Sequence, residues 1–257
     1  MTTIIMGSQP RQHSARTNSI KTNSVRTRAG ERARQSLAVV LGAIATLVPI
    51  ITAVPALGNI PNPPTESIGD TSTTPAQAHY EAGLTYAHRG SYVRTITEFD
   101  EAIRLDPNLS QAFQDRGSSH LALGNPVAAM GDYNRAIRLA PDNSNAYYNR
   151  GNLNLQLERY SRAIADYDRA ISLNDSDAAA WQNRALAHAT TGDLERAVNG
   201  FQQAARLYQL QNNPEVYKQV LAILEYFQPD LDPTNLPATD TPATDTPTAG
   251  SPTDSPR

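Results

Sequence analysis

The chain of 257 residues contains no cysteine. That excludes a disulfide framework, thiolate metal sites and a cysteine nucleophile, and leaves the redox compartment open. Lysine is almost missing as well: none lies between Lys21 and Lys218. Catalytic signatures are absent. There is no G-x-x-x-x-G-K-[ST], G-x-G-x-x-G, H-E-x-x-H or G-x-S-x-G, and no calcium-binding loop. The five histidines, at 13, 79, 88, 120 and 188, are scattered without metal-ligand spacing. An enzyme, a metal, a cofactor and a small-molecule substrate are therefore not expected. A basic face is missing too: residues 76–227 carry 14 cations and 17 anions in a mixed pattern. Nucleic acid binding needs a positive surface, so no nucleic acid partner is expected.

What is present divides the chain into segments. Residues 1–35 hold seven cations against Glu31 and read as a basic disordered arm. The run 37–54 (LAVVLGAIATLVPIITAV) carries no charge. With the arm before it, the segment 36–56 reads as a signal peptide or signal anchor. Val54-Pro55-Ala56 could close a cleavage site, and if it does not, the run holds the chain in a membrane. Either way the arginines stay cytoplasmic and the repeats are expected beyond the membrane, in a periplasm, lumen or outside. The Ser/Thr/Arg-rich start also resembles an organelle transit peptide. Residues 57–75 form a Pro/Thr/Ser linker. Residues 228–257, in which Pro-Ala-Thr-Asp-Thr occurs twice, cannot bury a core and are expected to be disordered.

Between these flanks the chain repeats itself every 34 residues. Small residues recur at Gly83, Gly117, Gly151 and Ala185, and aromatics at Phe99, Tyr133, Tyr167 and Phe201. Alanines recur at Ala102, Ala136, Ala170 and Ala204, and leucines at Leu105, Leu139, Leu173 and Leu207. Another column reads His79, Phe113, Tyr147, Trp181, and Pro107 and Pro141 close the first two units. Each unit holds two apolar-periodic stretches with a break near Gly90, Gly124, Glu158 and Gly192. The small residues suit a close approach of two helices, and Phe113, Tyr147 and Trp181 read as core.

These columns resemble the tetratricopeptide repeat family, whose pattern is W-x2-L-G-x2-Y, then A-x3-F, then proline. The phrases Tyr148-Asn149-Arg150-Gly151 and Ala163 to Ile171 carry the likeness most clearly. The resemblance implies an all-α solenoid of four helix-turn-helix repeats, at 76–109, 110–143, 144–177 and 178–211. Asn213-Pro214 opens a capping helix over 213–227, with Tyr217, Val220, Leu221 and Leu224 on one face. The sequence departs from the pattern at its leucine, which is Arg116, Arg150 and Arg184 in the last three units. Those arginines are expected to pair with acids such as Asp132 and Asp166. His120, Asn154 and His188 replace its tyrosine.

The resemblance further implies a non-enzymatic scaffold whose inner helices hold a peptide or helix of a protein partner. Carried over by position, the groove comprises Gln77, Tyr80, Leu84, His88, Gln111, Gln114 and Ser118 in the first two units. In the last two it comprises Asn145, Tyr148, Asn149, Asn152, Gln182, Asn183 and Leu186. Adaptors of this family that clamp an acidic carboxylate tail use lysines there. Only asparagines, Asn149 and Asn152, match here, so tight binding of such a tail is not expected. The expected role is assembly of an envelope or membrane complex. Two alternatives stand beside it: a regulatory subunit of a cell-wall enzyme, and a thylakoid or plastid assembly factor.

Overall fold

A computed structural model describes residues 73–228. The basic arm, the apolar run 37–54, most of the linker and the tail beyond Gln228 lie outside the described residues. No described helix is long and apolar enough to cross a membrane.

The described residues are all α-helical, without a strand. The helices are α1 (Pro75–His88), α2 (Tyr92–Leu105), α3 (Ser110–Ala122), α4 (Pro126–Leu139), α5 (Ser144–Gln156), α6 (Tyr160–Leu173), α7 (Ala178–Thr191), α8 (Leu194–Leu210) and α9 (Pro214–Phe227). Each 34-residue unit holds one antiparallel pair, and each pair packs on the next. The breaks between paired helices fall where the sequence places them. Gly90, Gly124 and Gly192 adopt positive φ, as does Glu158 at φ 56°. Ending a helix this way suits glycine, which has no side-chain penalty in the left-handed region, and strains Glu158. Side-chain caps start several helices: Thr74 on α1, Asn143 on α5, Asp177 on α7, Asp193 on α8 and Asn213 on α9.

The core of each of the first three repeats is an aromatic ring driven against a glycine. Phe99, Tyr133, Tyr167 and Phe201 are fully buried. A Cβ at Gly117 would stand 2.9 Å from the Tyr133 ring, and one at Gly151 2.8 Å from the Tyr167 ring. The fourth repeat exchanges the arrangement: Ala185 replaces the glycine, and Gly200, where the other repeats carry Glu98, Asp132 and Asp166, gives way to it. A Cβ at Gly200 would lie 2.8 Å from Cβ of Ala185.

Two sequence expectations need correction. Phe113 and Tyr147 are half-buried rather than core, although Trp181 is buried. Their rings lie between guanidinium groups: Arg116 and Arg135 over Phe113, Arg150 and Arg169 over Tyr147. The rings fill the edge of the helix pair, beside the fully buried second-helix aromatics Tyr133 and Tyr167. The buried face of α9 is Val220, Ile223 and Leu224, with Tyr217 and Leu221 at its margin. Ile223 fits the stripe because positions i+3 and i+4 from Val220 share a face.

Candidate functional site

The first helix of each pair (α1, α3, α5, α7) builds one continuous face, because these helices reach one another across repeats. Tyr80 on α1 donates to Asp115 on α3 at 2.8 Å. Asn183 on α7 donates to Tyr148 and Asn152 on α5, at 3.4 and 2.9 Å.

The fourteen groove positions read from the sequence all lie on these four helices, but in two depths. Tyr80, Leu84, Gln114, Ser118, Asn149, Gln182, Asn183 and Leu186 are buried. Gln77, Tyr148 and Asn152 are half-buried, and His88, Gln111 and Asn145 are exposed. The buried set forms a floor whose polar ends bond within the repeats and at the cap of α5, besides the two contacts across repeats. Asn143 donates to the Gln114 carbonyl at 2.8 Å, and the Gln114 amide donates to Asp115 at 3.2 Å. Ser118 pairs with the Tyr133 hydroxyl at 3.2 Å, and Tyr167 donates to Asn152 at 2.7 Å. Periodicity could not separate floor from rim, since a first-helix position faces the neighbouring repeat and the open side at once. The rim is amide and imidazole: Gln77, Gln111, Asn145 and His88.

Electrostatically the face is nearly neutral. Burial raises the hydroxyl pKa of Tyr80, Tyr133, Tyr148 and Tyr167, so all four stay protonated. Asp115 is the exception among the floor residues. Burial pushes its carboxyl up to about 6, against hydrogen bonds from Tyr80 and Gln114 that favour the charged form. The groove set read from the sequence omits Asp115. Asp115 shares the 34-residue column Glu81, Asp115, Asn149, Asn183 with two members of that set.

Charge is concentrated instead where neighbouring pairs meet. Arg116 on α3 bonds Asp132 on its own partner helix and Asp100 on the preceding one. Burial opposes the Arg116 charge, but both acids hold its pKa up. Arg150 repeats the arrangement with Asp166 and Asn134, and Arg184 keeps only Asp168. Arg184 has no counterpart of Asp132 because Gly200 stands there. These are structural staples, as the sequence suggested for the first two. His120 and His188 lie against Asp132 and Asp193 at 3.9 and 3.6 Å. Among the described residues no cluster of three or more histidines and acids could hold a metal.

The tetratricopeptide repeat family matches residues 115–178 and 148–214. No curated protein matches the chain. Among solved structures, MamA from Desulfovibrio magneticus RS-1 is 17% identical and covers 65% of this chain and 99% of its own, with a TM-score of 0.48. YrrB, described as a TPR protein with an unusual peptide-binding site, is 21% identical over 60% of this chain and 87% of its own, with a TM-score of 0.46. The first such domain of human RPAP3 is 24% identical over 48% of this chain and 96% of its own, with a TM-score of 0.44.

Proposed function

From the premise that this chain is a tetratricopeptide repeat protein, established by its repeat columns, helix pairing and family match, we propose that it is a non-enzymatic scaffold. Its inner face holds an extended peptide or a helix of a protein partner. The observation that carries this reading is the rim of Gln77, Gln111 and Asn145 above a floor of amides and protonated phenols. Amides satisfy both donors and acceptors of a peptide backbone, and half-buried Tyr148 offers flat apolar area at small entropic cost. Neither lysine nor arginine stands among the fourteen positions, so a neutral or mixed segment suits the face better than an acidic tail.

The scaffold is further proposed to work beyond a membrane. The basic arm and the apolar run 37–54 support export or anchoring, and assembly of an envelope or membrane complex follows as its role.

One experiment tests both parts. A photo-cross-linking residue is placed at Gln111 on the rim, or at exposed Arg138 on α4, in the full chain expressed in its own cells. The cells are then fractionated, and the adduct's mass is read. A discrete protein adduct from position 111 and none from 138, in the exported or membrane fraction, is the expected result. Equal adducts from both positions would remove the inner-face reading. Recovery of the full-length chain in the cytoplasm would remove the export reading and leave the scaffold standing.

A further inference from the structure

We propose that the joint between the first and second repeats is a pH-sensitive coupling, in which acid tightens the docking of α1 and α2 onto the rest of the array. The inference rests on the fold alone and not on the partner reading.

Asp115 is 1% exposed and sits across this joint. Oδ2 accepts from the Tyr80 hydroxyl on α1, and Oδ1 accepts from the Gln114 amide. Both donors are neutral. The adjacent cation, Arg116, is turned to Asp132 on α4 and Asp100 on α2. The other titratable groups whose charges bear on the cluster are Tyr80 from α1 and Tyr133 and Asp132 from α4. The cap of α5 contributes only an amide, Asn143, through Gln114. A carboxylate buried this way, without a cation, is expensive when charged and satisfied when protonated.

The chain supplies its own comparison. The same tyrosine contact, 35 residues apart, recurs between Tyr148 and Asn183, where the acid's place is taken by its neutral isostere. The third and fourth units carry asparagine in this column, and the second carries aspartate. The joint between the first two repeats alone therefore combines this tyrosine with a carboxyl.

The sign follows from linkage. The carboxyl titrates near 3.9 in an unfolded chain and near 6 in the fold. Its stabilisation is complete below about pH 4 and is lost as pH rises through about 6. At pH 8 the joint therefore carries a buried charge, and α1 opens more often than at pH 5.

The test is hydrogen exchange of α1 amides in the full chain at pH 5 and pH 8, corrected for intrinsic exchange. The wild type is expected to open at least ~10-fold more often at pH 8, since one pKa unit is a factor of ten. Asp115→Asn is expected to be equally protected at both values. A second variant guards against misfolding of the first: Tyr80→Phe removes a donor to the carboxylate and should move the wild-type midpoint upward. A wild-type profile that is flat or rises toward acid would overturn the proposal. So would a pH dependence retained in Asp115→Asn, or a midpoint unmoved in Tyr80→Phe.

Discussion

At the scale of single residues, the energetics turn on which charges are covered. Asp166 is 6% exposed and receives bonds from Arg150 and Asn154. Arg150→Ala strands that carboxylate with one amide, and a loss of about 2–3 kcal/mol is expected in urea unfolding, somewhat below a fully buried pair because Arg150 is partly solvated. The exposed pair Arg104–Glu101 offers a control: Arg104→Ala should leave the midpoint in place. An equal loss in both variants would contradict the stapling role. The pairs with Asp132 and Asp166 were legible in the sequence, because an arginine in the family's apolar position demands an acid on the facing helix. The second partners, Asp100 and Asn134, were not, since they come from the preceding repeat. Nor was the depth of Asp115, which depends on how closely two repeats dock and not on either helix's own pattern.

At the scale of elements, the 34-residue columns make the helix pairs and their breaks legible in the sequence. A left-handed residue ends the first helix of every repeat, and three of the four are glycine. Glu158 carries the strain of that conformation, which costs an ordinary side chain roughly 1–2 kcal/mol, partly offset by its lower unfolded-state entropy. Glu158→Gly is therefore expected to stabilise the protein by about 0.5–1 kcal/mol, read as a rise in melting temperature. A fall would mean that the glutamate makes a compensating interaction. Placement of the aromatics was only half legible. Spacing put Phe113, Tyr147 and Trp181 in one column, but only Trp181 is buried, its indole N–H donating to the Asp175 carbonyl. The first two are left at the edge, under arginines. The last helix was legible from Asn213-Pro214, while its exact stripe was not, because Leu221 and Ile223 are equally apolar on paper.

At the scale of the whole molecule, four pairs stacked in order and closed by α9 give a face of amides and phenols running through the first helices. α9 lays Phe227 against Phe201, with ring centroids 6.3 Å apart, so the last repeat does not end in an open apolar surface. The apolar run 37–54 and the Pro/Thr/Asp tail lie outside the described residues. The fourteen positions of the groove set fall on the first helices, which the repeat spacing made legible, while the depth of each did not show in the sequence. Eight of the fourteen residues are buried in the floor, so a partner would meet chiefly the rim and the half-buried Tyr148 and Asn152. The central claim, that this face is where a partner is held, is tested most directly by amide-resonance mapping. The full chain is titrated with the peptide identified by cross-linking at position 111. Perturbations confined to α1, α3, α5 and α7, with Gln111, Asn145 and Asn152 among the largest, are the predicted result. Perturbations centred on α2, α4, α6 and α8 would contradict it.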